Sequence, residues 1–374
     1  MKRIFLMLLL FLLPASVIFG AEPQVAAQGA ALIDGKTGRL LWGKEETKPL
    51  AMASTAKIMT AILVLEHCGM DEVVSISKNA ARQPEVHMDL KEGEQWKVGD
   101  LLSAMMLRSY NDAAVALAEH TFGSTEVFCQ KMTEKARKLG AKDTVFGSPN
   151  GLDSHLTEEV HHSAAYDMAR IAEIIAQPKI DITDLKGKRR TEVTNADRFL
   201  REYRGAIGVK TGYTNRAGHC FVGAAERDGV RLVSAVLGSG WGAVGKEKKW
   251  TDTKALMEYG FAMFQPYEAV RKGTVFGEVA VADSPVKRVE TVLGEGYCAL
   301  FSEAERESLR LEAVLPEQVE APVAAGDKMG KAILYLGAEP LAEIDLLAGR
   351  SARGYTLSER MEWLAGGWIS WRKF

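Results

Sequence analysis

The sequence predicts an α+β fold in which an antiparallel sheet is covered by helices, followed by a small β-rich domain and a C-terminal amphipathic helix. Three observations carry this. Apolar strand pairs joined by turn dipeptides lie at both ends of the first 265 residues and flank a helical block. Short Val-rich alternating segments follow from Gly273 to about Leu347. The last residues place Met361, Leu364, Trp368 and Trp371 at helical spacing.

The 374 residues exceed one typical core and suit a main domain with a smaller one. The spans expected are 1–21 for an export signal, 22–265 for the main domain, 266–352 for the β-rich domain and 353–374 for the tail. An apolar fraction of 47% is that of an ordinary globular chain, and a net charge of −2 gives no sign of a nucleic-acid partner.

Met1-Lys2-Arg3 is basic, Ile4 to Ile18 is almost wholly apolar, and Gly20-Ala21 offers small residues for cleavage. This reads as a secretory signal peptide, with an uncleaved anchor as the alternative because Ile18 and Phe19 fit the cleavage rule poorly. In both readings the chain acts outside the cytoplasm. Cys68, Cys129, Cys220 and Cys298 are widely spaced, without Cys-x-x-Cys or zinc-ligand spacing, and are expected to be free thiols. His161-His162 lacks acidic or Cys partners at ligand spacing, so no metal or cofactor is expected.

Ala30 to Ile33 and Leu40 to Trp42 read as strands joined by the turn Asp34-Gly35-Lys36-Thr37-Gly38. Helices are predicted over about 55–67, 98–107, 111–120, 126–139 and 163–177. The third has Asn111-Asp112 as N-caps, the fourth stops at Gly140 and the fifth at Pro178. Ala206 to Val209, Cys220 to Ala225 and Arg231 to Leu237 are strands, the last two turning at Asp228-Gly229. A helix over about 251–264 closes the first domain. In the tail, Trp363 and terminal Arg372-Lys373 suit a helix lying on a membrane surface, although Gly366-Gly367 weakens it.

Three short motifs carry chemistry: Ser54-Thr55-Ala56-Lys57, Ser109-Tyr110-Asn111 and Lys210-Thr211-Gly212. Each has decoys, namely Ser75-Ile76-Ser77-Lys78, Ser77-Lys78-Asn79, Ser148-Pro149-Asn150 and Lys36-Thr37-Gly38. Context separates them. Ser54 opens an apolar helix, so Ser54 and Lys57 share a face, whereas the same spacing in the strand-like Ser75 run puts the side chains on opposite faces. Lys210 ends an apolar strand, where a substrate can pair along a sheet edge. The bland alternative for Ser54 is an N-cap. A capping box would place Glu or Gln at position 57, and lysine opposes the helix dipole there.

Longer strings resemble the D-alanyl-D-alanine carboxypeptidases of the penicillin-binding protein and serine β-lactamase superfamily. They are Met52 to Thr60, Asn111 to Ala114, Pro149 to Asp153, Ser163 to Ala169 and Gly208 to Thr214. The resemblance covers about Gln28 to Phe264 and departs at Tyr110 and Tyr213, where small residues and histidine are common. It implies a β-lactamase/transpeptidase-like domain that removes the terminal D-alanine from peptidoglycan stem peptides ending in D-Ala-D-Ala, with β-lactams as covalent inhibitors.

The implied roles are Ser54 as nucleophile and Lys57 as base, its pKa lowered by burial and by Lys210. Ser109 would pass a proton to the leaving D-alanine, and Asn111 would bond Lys57 and the substrate amide. The backbone N–H groups of Ser54 and Tyr213 would hold the oxyanion. Lys210, Thr211, Gly212 and Tyr213 would line the substrate strand. Before the last helix, where the family commonly has arginine, stands Lys248 or Lys249; Lys249 fits the spacing to Gly260-Phe261 better and would help bind the terminal carboxylate.

Two readings compete. A class A serine β-lactamase would carry Glu-x-x-Leu-Asn, which is absent; Glu158-Glu159-Val160-His161 is the nearest acidic patch. A non-catalytic wall-binding protein is the other, and the intact motifs argue against it. An amine in place of water would make the chain a transpeptidase.

Overall fold

The computed structural model describes residues 22–157, 159–171, 179–183, 190–194 and 197–362. The expected signal peptide, residues 172–177 of the fifth expected helix with its stop at 178, and residues 363–374 of the expected tail helix lie outside them.

The first strands, β1 (Gly29–Asp34) and β2 (Leu40–Lys44), form the expected hairpin. The Asp34 carboxylate closes its turn by accepting from the Lys36 N–H and the Thr37 hydroxyl. A 3-10 turn over Ala53–Ala56 leads into α1 (Lys57–His67). The short ribbon β3 (Val73–Ser75) and β4 (Gln95–Lys97) precedes α2 (Val98–Arg108), α3 (Asn111–Phe122) and α4 (Thr125–Lys138). Then come α5 (Ala165–Arg170), a hairpin of β5 (Lys179–Thr183) and β6 (Arg190–Thr194), and the single turn α6 (Phe199–Glu202).

The strands β7 (Ala206–Thr214), β8 (Gly218–Arg227) and β9 (Val230–Leu237) complete a five-stranded antiparallel sheet ordered β2-β1-β9-β8-β7. Its central strands read as unbroken apolar runs because both faces are covered. Alternation divides them between two cores. Ala31, Ile33, Val222, Ala224, Val233 and Ala235 face the cluster built on α1 to α5. Ala30, Leu32, Phe221, Ala225, Leu232 and Val236 face the cluster under α7 (Gly242–Met263).

Four boundaries differ from the sequence expectation, the first being that of the fifth expected helix, 163–177, which is the shorter α5 ending at Arg170 with Ile171 as its C-cap. Ser54 sits in the 3-10 turn rather than in the helix proper, and it makes no capping bond. Asn111 and Asp112 are the first two residues of α3, with Tyr110 at the cap position. Their side chains are used elsewhere: Asp112 accepts from the Met88 and Leu90 N–H groups and ties down the preceding loop. The closing helix starts at Gly242, nine residues before the expected 251, so Lys249 lies inside it. Its glycine-rich start hides it from propensity. Gly245 is required there, because a Cβ would lie 2.1 Å from the Gly240 carbonyl carbon.

The C-terminal strands are β10 (Gln265–Val270), β11 (Val275–Ala282), β12 (Arg288–Leu293) and β13 (Tyr297–Phe301). After α8 (Glu303–Glu307) come β14 (Leu309–Val314), β15 (Gln318–Glu320), β16 (Lys328–Leu336) and β17 (Glu339–Ala348). Six of them form a sheet ordered β14-β16-β17-β12-β11-β15, and β10 pairs with β13 as a ribbon. This is the expected β-rich region. It joins the first sheet through the β1–β2 turn, where Arg39 makes a bidentate pair with Glu305 and Asp34 accepts from the Leu300 N–H at 3.1 Å. Residues 357–362 are helical, with Leu357 and Met361 exposed. Among the described residues, no helix is long and apolar enough to cross a membrane, and no disulfide links the cysteines.

Candidate active site

The Ser54 turn is wedged between two glycines. Ala53 takes a left-handed φ of 48°. Gly151, at φ +82°, packs so closely that a Cβ would lie 2.0 Å from the Ala53 carbonyl oxygen and 2.8 Å from the Ser54 nitrogen. Gly212, on β7, approaches from the other side; a Cβ there would meet the Met52 oxygen and the Ser54 nitrogen at 3.1 Å each. Glycine lets backbone approach backbone at both places. Because β7 is an edge strand of the sheet, it offers a ladder edge beside the Ser54 hydroxyl.

Lys57 lies one helical turn on and is fully buried. Its Nζ is 3.0 Å from Ser54 Oγ, 2.8 Å from Asn111 Oδ1 and 2.6 Å from the Asn150 carbonyl oxygen. Burial, and then the charge of Lys210, hold its pKa well below the ordinary lysine value; Asp112 opposes them. A neutral amine has two N–H groups and one lone pair. Asn111 and Asn150 absorb the two N–H groups, which leaves the lone pair for the Ser54 hydroxyl proton.

Asn111 is itself held. Its amide donates to the carbonyls of Pro84 at 3.0 Å and Glu85 at 3.1 Å, so Oδ1 must face Lys57. The expected contact with a substrate amide is then left to the second lone pair of Oδ1. Ser109 ends α2 in a left-handed conformation at φ 69°, and its Oγ is buried without a partner. A buried hydroxyl in that state is a candidate for a proton or a ligand.

Lys210 is buried behind the turn and donates to the Thr211 carbonyl at 2.9 Å. Burial and then Lys249 bring its pKa to about 7, against the pull of Asp197. Lys249 is brought to about 8, chiefly by burial, and lies 4.5 Å from the Trp250 ring centre. Burial pushes Asp197 up to about 6, while the Phe199 N–H and the charge of Lys210 oppose it. Lys210, Lys249 and Asp197 are thus buried groups coupled by charge, and Lys210 is tied to the Thr211 backbone. Tyr213, beyond Gly212, is exposed and packs on His219 with ring centres 4.5 Å apart.

The structure thus brings Ser54, Lys57 and Asn111 into one hydrogen-bonded group. Lys210 couples to it through charge and Lys249 couples to Lys210, while Ser109 stands two residues before Asn111. Two decoy segments stay apart: Lys36-Thr37-Gly38 forms the β1–β2 turn, and Ser77 bonds Glu119, whereas Ser148-Pro149-Asn150 comes to the site, through the Asn150 backbone carbonyl. His161 is buried, accepts from the Gly147 N–H at 3.0 Å, and is lowered to about 4 by burial. Two contributors escaped the sequence reading. Asn150 acts through its backbone carbonyl, so the sequence marked its place, as a decoy and within the resemblance string Pro149 to Asp153, but not its part. Asp197 carries no local signal.

Residues 17–240 match the D-alanyl-D-alanine carboxypeptidase family, and residues 264–352 match the C-terminal domain of penicillin-binding protein 5. The chain is 30% identical over 362 residues to the D-alanyl-D-alanine carboxypeptidase DacF of Bacillus subtilis, covering 92% of this chain and 91% of that one. Among solved structures, penicillin binding protein 5 of Haemophilus influenzae is similar at 26% identity and a TM-score of 0.72, over 88% of this chain and 98% of that one. A Streptomyces DD-transpeptidase is similar at 30% identity and a TM-score of 0.58, over 65% of this chain and all of the other.

Proposed function

Since this chain belongs to the D-alanyl-D-alanine carboxypeptidase family, we propose that Ser54 is the nucleophile of its serine-type hydrolysis of stem peptides ending in D-Ala-D-Ala. The observation that carries the assignment is the Lys57 amine, buried and bonded to Ser54, Asn111 and Asn150.

Ser54 Oγ attacks the amide carbon between the two D-alanines and its proton passes to Lys57. The oxyanion is held by the backbone N–H groups of Ser54 and Tyr213. The intermediate collapses, the C–N bond breaks, and Ser109 delivers its proton to the departing D-alanine nitrogen while taking up the one held by Lys57. Water then hydrolyses the ester, restoring Ser54 and releasing the shortened peptide. The substrate's terminal carboxylate is drawn to the Thr211 hydroxyl and to the charge of Lys210 and Lys249. A β-lactam undergoes the same attack, but its leaving nitrogen stays tethered, so the acyl-enzyme persists.

We further propose that residues 1–21 direct export and that the chain works on the outer face of the cytoplasmic membrane. The 353–374 segment would rest on that surface, with residues 266–352 holding the site above it. The basic, then apolar, N-terminus and the exposed Leu357 and Met361 support this.

The test is release of D-alanine from a diacylated Lys-D-Ala-D-Ala tripeptide by the mature protein. Stoichiometric D-alanine and a shortened peptide are expected, with loss of both in Ser54→Ala. A product joined to an added amino acid, with little free dipeptide end, would make the chain chiefly a transpeptidase. No turnover of peptide but rapid β-lactam hydrolysis would replace the reading with a β-lactamase.

A further inference from the structure

At the far end of α1 from Ser54, three side chains from different elements converge. Cys68 caps the C-terminus of α1, Glu72 stands in the loop before β3, and His120 lies in the last turn of α3. Among the described residues, their Sγ, carboxylate oxygen and imidazole nitrogen lie within 4.8 Å of one another. His120 Nε2 and Glu72 Oε2 are already 3.1 Å apart. We propose that Cys68, Glu72 and His120 form a binding site for one zinc-like divalent cation.

The donor chemistry selects the class of ion. Thiolate, imidazole and carboxylate together suit zinc, which binds them at about 2.0–2.3 Å in a tetrahedron. Neighbouring ligands in such a site are roughly 3.3–3.7 Å apart. The Glu72–His120 edge, at 3.1 Å, needs to open by only a few tenths of an ångström, and the Cys68 edges need to close by about 1 Å at most. Solvent would supply the fourth ligand, since the His120 and Glu72 side chains are 24% and 50% exposed. On binding, the Cys68 thiol gives up its proton and a sulfur–metal bond forms. The imidazole proton moves to Nδ1, and the +2 ion is balanced by one thiolate and one carboxylate.

The surroundings favour a cation. Two helix C-termini, those of α1 and α3, point their negative dipole ends at the same place. The Gly69 N–H donates to Glu72 Oε1 at 2.6 Å, which orients the carboxylate and leaves Oε2 for the ion. The loop is pinned by the Val98 N–H to Glu72 carbonyl bond of 2.9 Å. Thr121 Oγ lies 3.4 Å from Cys68 Sγ. A bound ion would staple α1 to α3, whose other ends carry Lys57 and Asn111. It touches no reacting atom, so its effect is on stability rather than on chemistry.

The test uses the metal-free full chain with zinc chloride and cobalt chloride as probes. One equivalent of zinc by calorimetry is expected. Cobalt should give a thiolate charge-transfer band, and excess zinc should raise the melting temperature by a few degrees. Cys68→Ala should abolish the band, and His120→Ala should weaken zinc binding by at least about tenfold. Cys298→Ala, at the exposed cysteine, should leave both unchanged. Glu72→Gln, at a solvent-facing position, serves if the other variants fold poorly, and unchanged benzylpenicillin acylation reports folding in each. Absence of zinc binding would overturn the proposal. So would binding that survives Cys68→Ala and His120→Ala, or a cobalt band lost with Cys298 instead.

Discussion

Lys57 Nζ and Asn111 Oδ1, from residues 54 positions apart, meet at 2.8 Å at the buried N-terminal ends of two helices. This contact joins the first and second sequence motifs. It is neutral on the asparagine side, which matters because Lys57 must lose its proton to act as a base.

Asn111→Asp therefore separates shape from charge. A carboxylate at that place favours the ammonium form and raises the Lys57 pKa. The acidic limb of the benzylpenicillin acylation rate should move upward by about one pH unit or more. At neutral pH the rate should fall about tenfold or more, and part of it should return on raising the pH. An unshifted profile would mean that Lys57 is not the base.

The glycine beside Ser54 provides a second check. Gly151 and Gly229 have nearly the same left-handed φ, 82° and 79°, but a Cβ meets backbone at Gly151 and nothing within 4 Å at Gly229. Gly229→Ala should cost only the backbone strain, about 1 kcal/mol, with acylation intact. Gly151→Ala should cost at least about 2 kcal/mol and slow acylation sharply, because the Ser54 turn must shift. Denaturant melts and acylation rates of the pair measure both.

Lys210 sits at about 7 partly because Lys249 stands beside it. As pH rises through that value Lys210 loses its charge; if that charge draws the substrate carboxylate, as proposed, kcat/KM for the D-Ala-D-Ala peptide should fall on the alkaline side. Lys249→Gln removes a repelling cation, so Lys210 keeps its proton to higher pH. The alkaline limb should then move upward even though the overall level drops. A pH profile of peptide hydrolysis in both proteins decides this.

His161 makes stability depend on pH in a fixed direction. Its folded pKa is about 4, below the ordinary 6.5, so between these values the unfolded chain binds the extra proton. The stabilising contribution is complete above pH 6.5 and is lost as pH falls towards 4, by on the order of 3 kcal/mol in all. His161→Asn should reduce the loss of stability between pH 6.5 and 4 relative to the parent. Equal slopes in urea melts would contradict the assignment.

Much of this architecture was legible in the sequence. The strands of the central sheet are continuous apolar runs, and the helices around α1 to α4 show clear apolar periodicity. The Ser-x-x-Lys spacing needs only one helical turn, so Ser54 and Lys57 could be paired from local rules. What escaped has physical causes. The Asn150 contribution is a backbone carbonyl, which no residue type announces. The start of α7 is masked by Gly242, which takes a left-handed φ of 60°, and by Gly245, whose presence is dictated by the close approach to Gly240. Asp197 reaches Lys210 only through tertiary packing. Asn111 and Asp112 have the composition of helix caps, yet they spend their side chains on Lys57 and on the 88–90 backbone.

The most direct test of the central claim is peptide mapping by mass spectrometry after brief exposure to benzylpenicillin. A long-lived adduct of one drug mass on the peptide containing Ser54, absent in Ser54→Ala and much slower to form in Lys57→Ala, is the predicted result. An adduct on another serine, or full acylation of the Ser54→Ala protein, would contradict it.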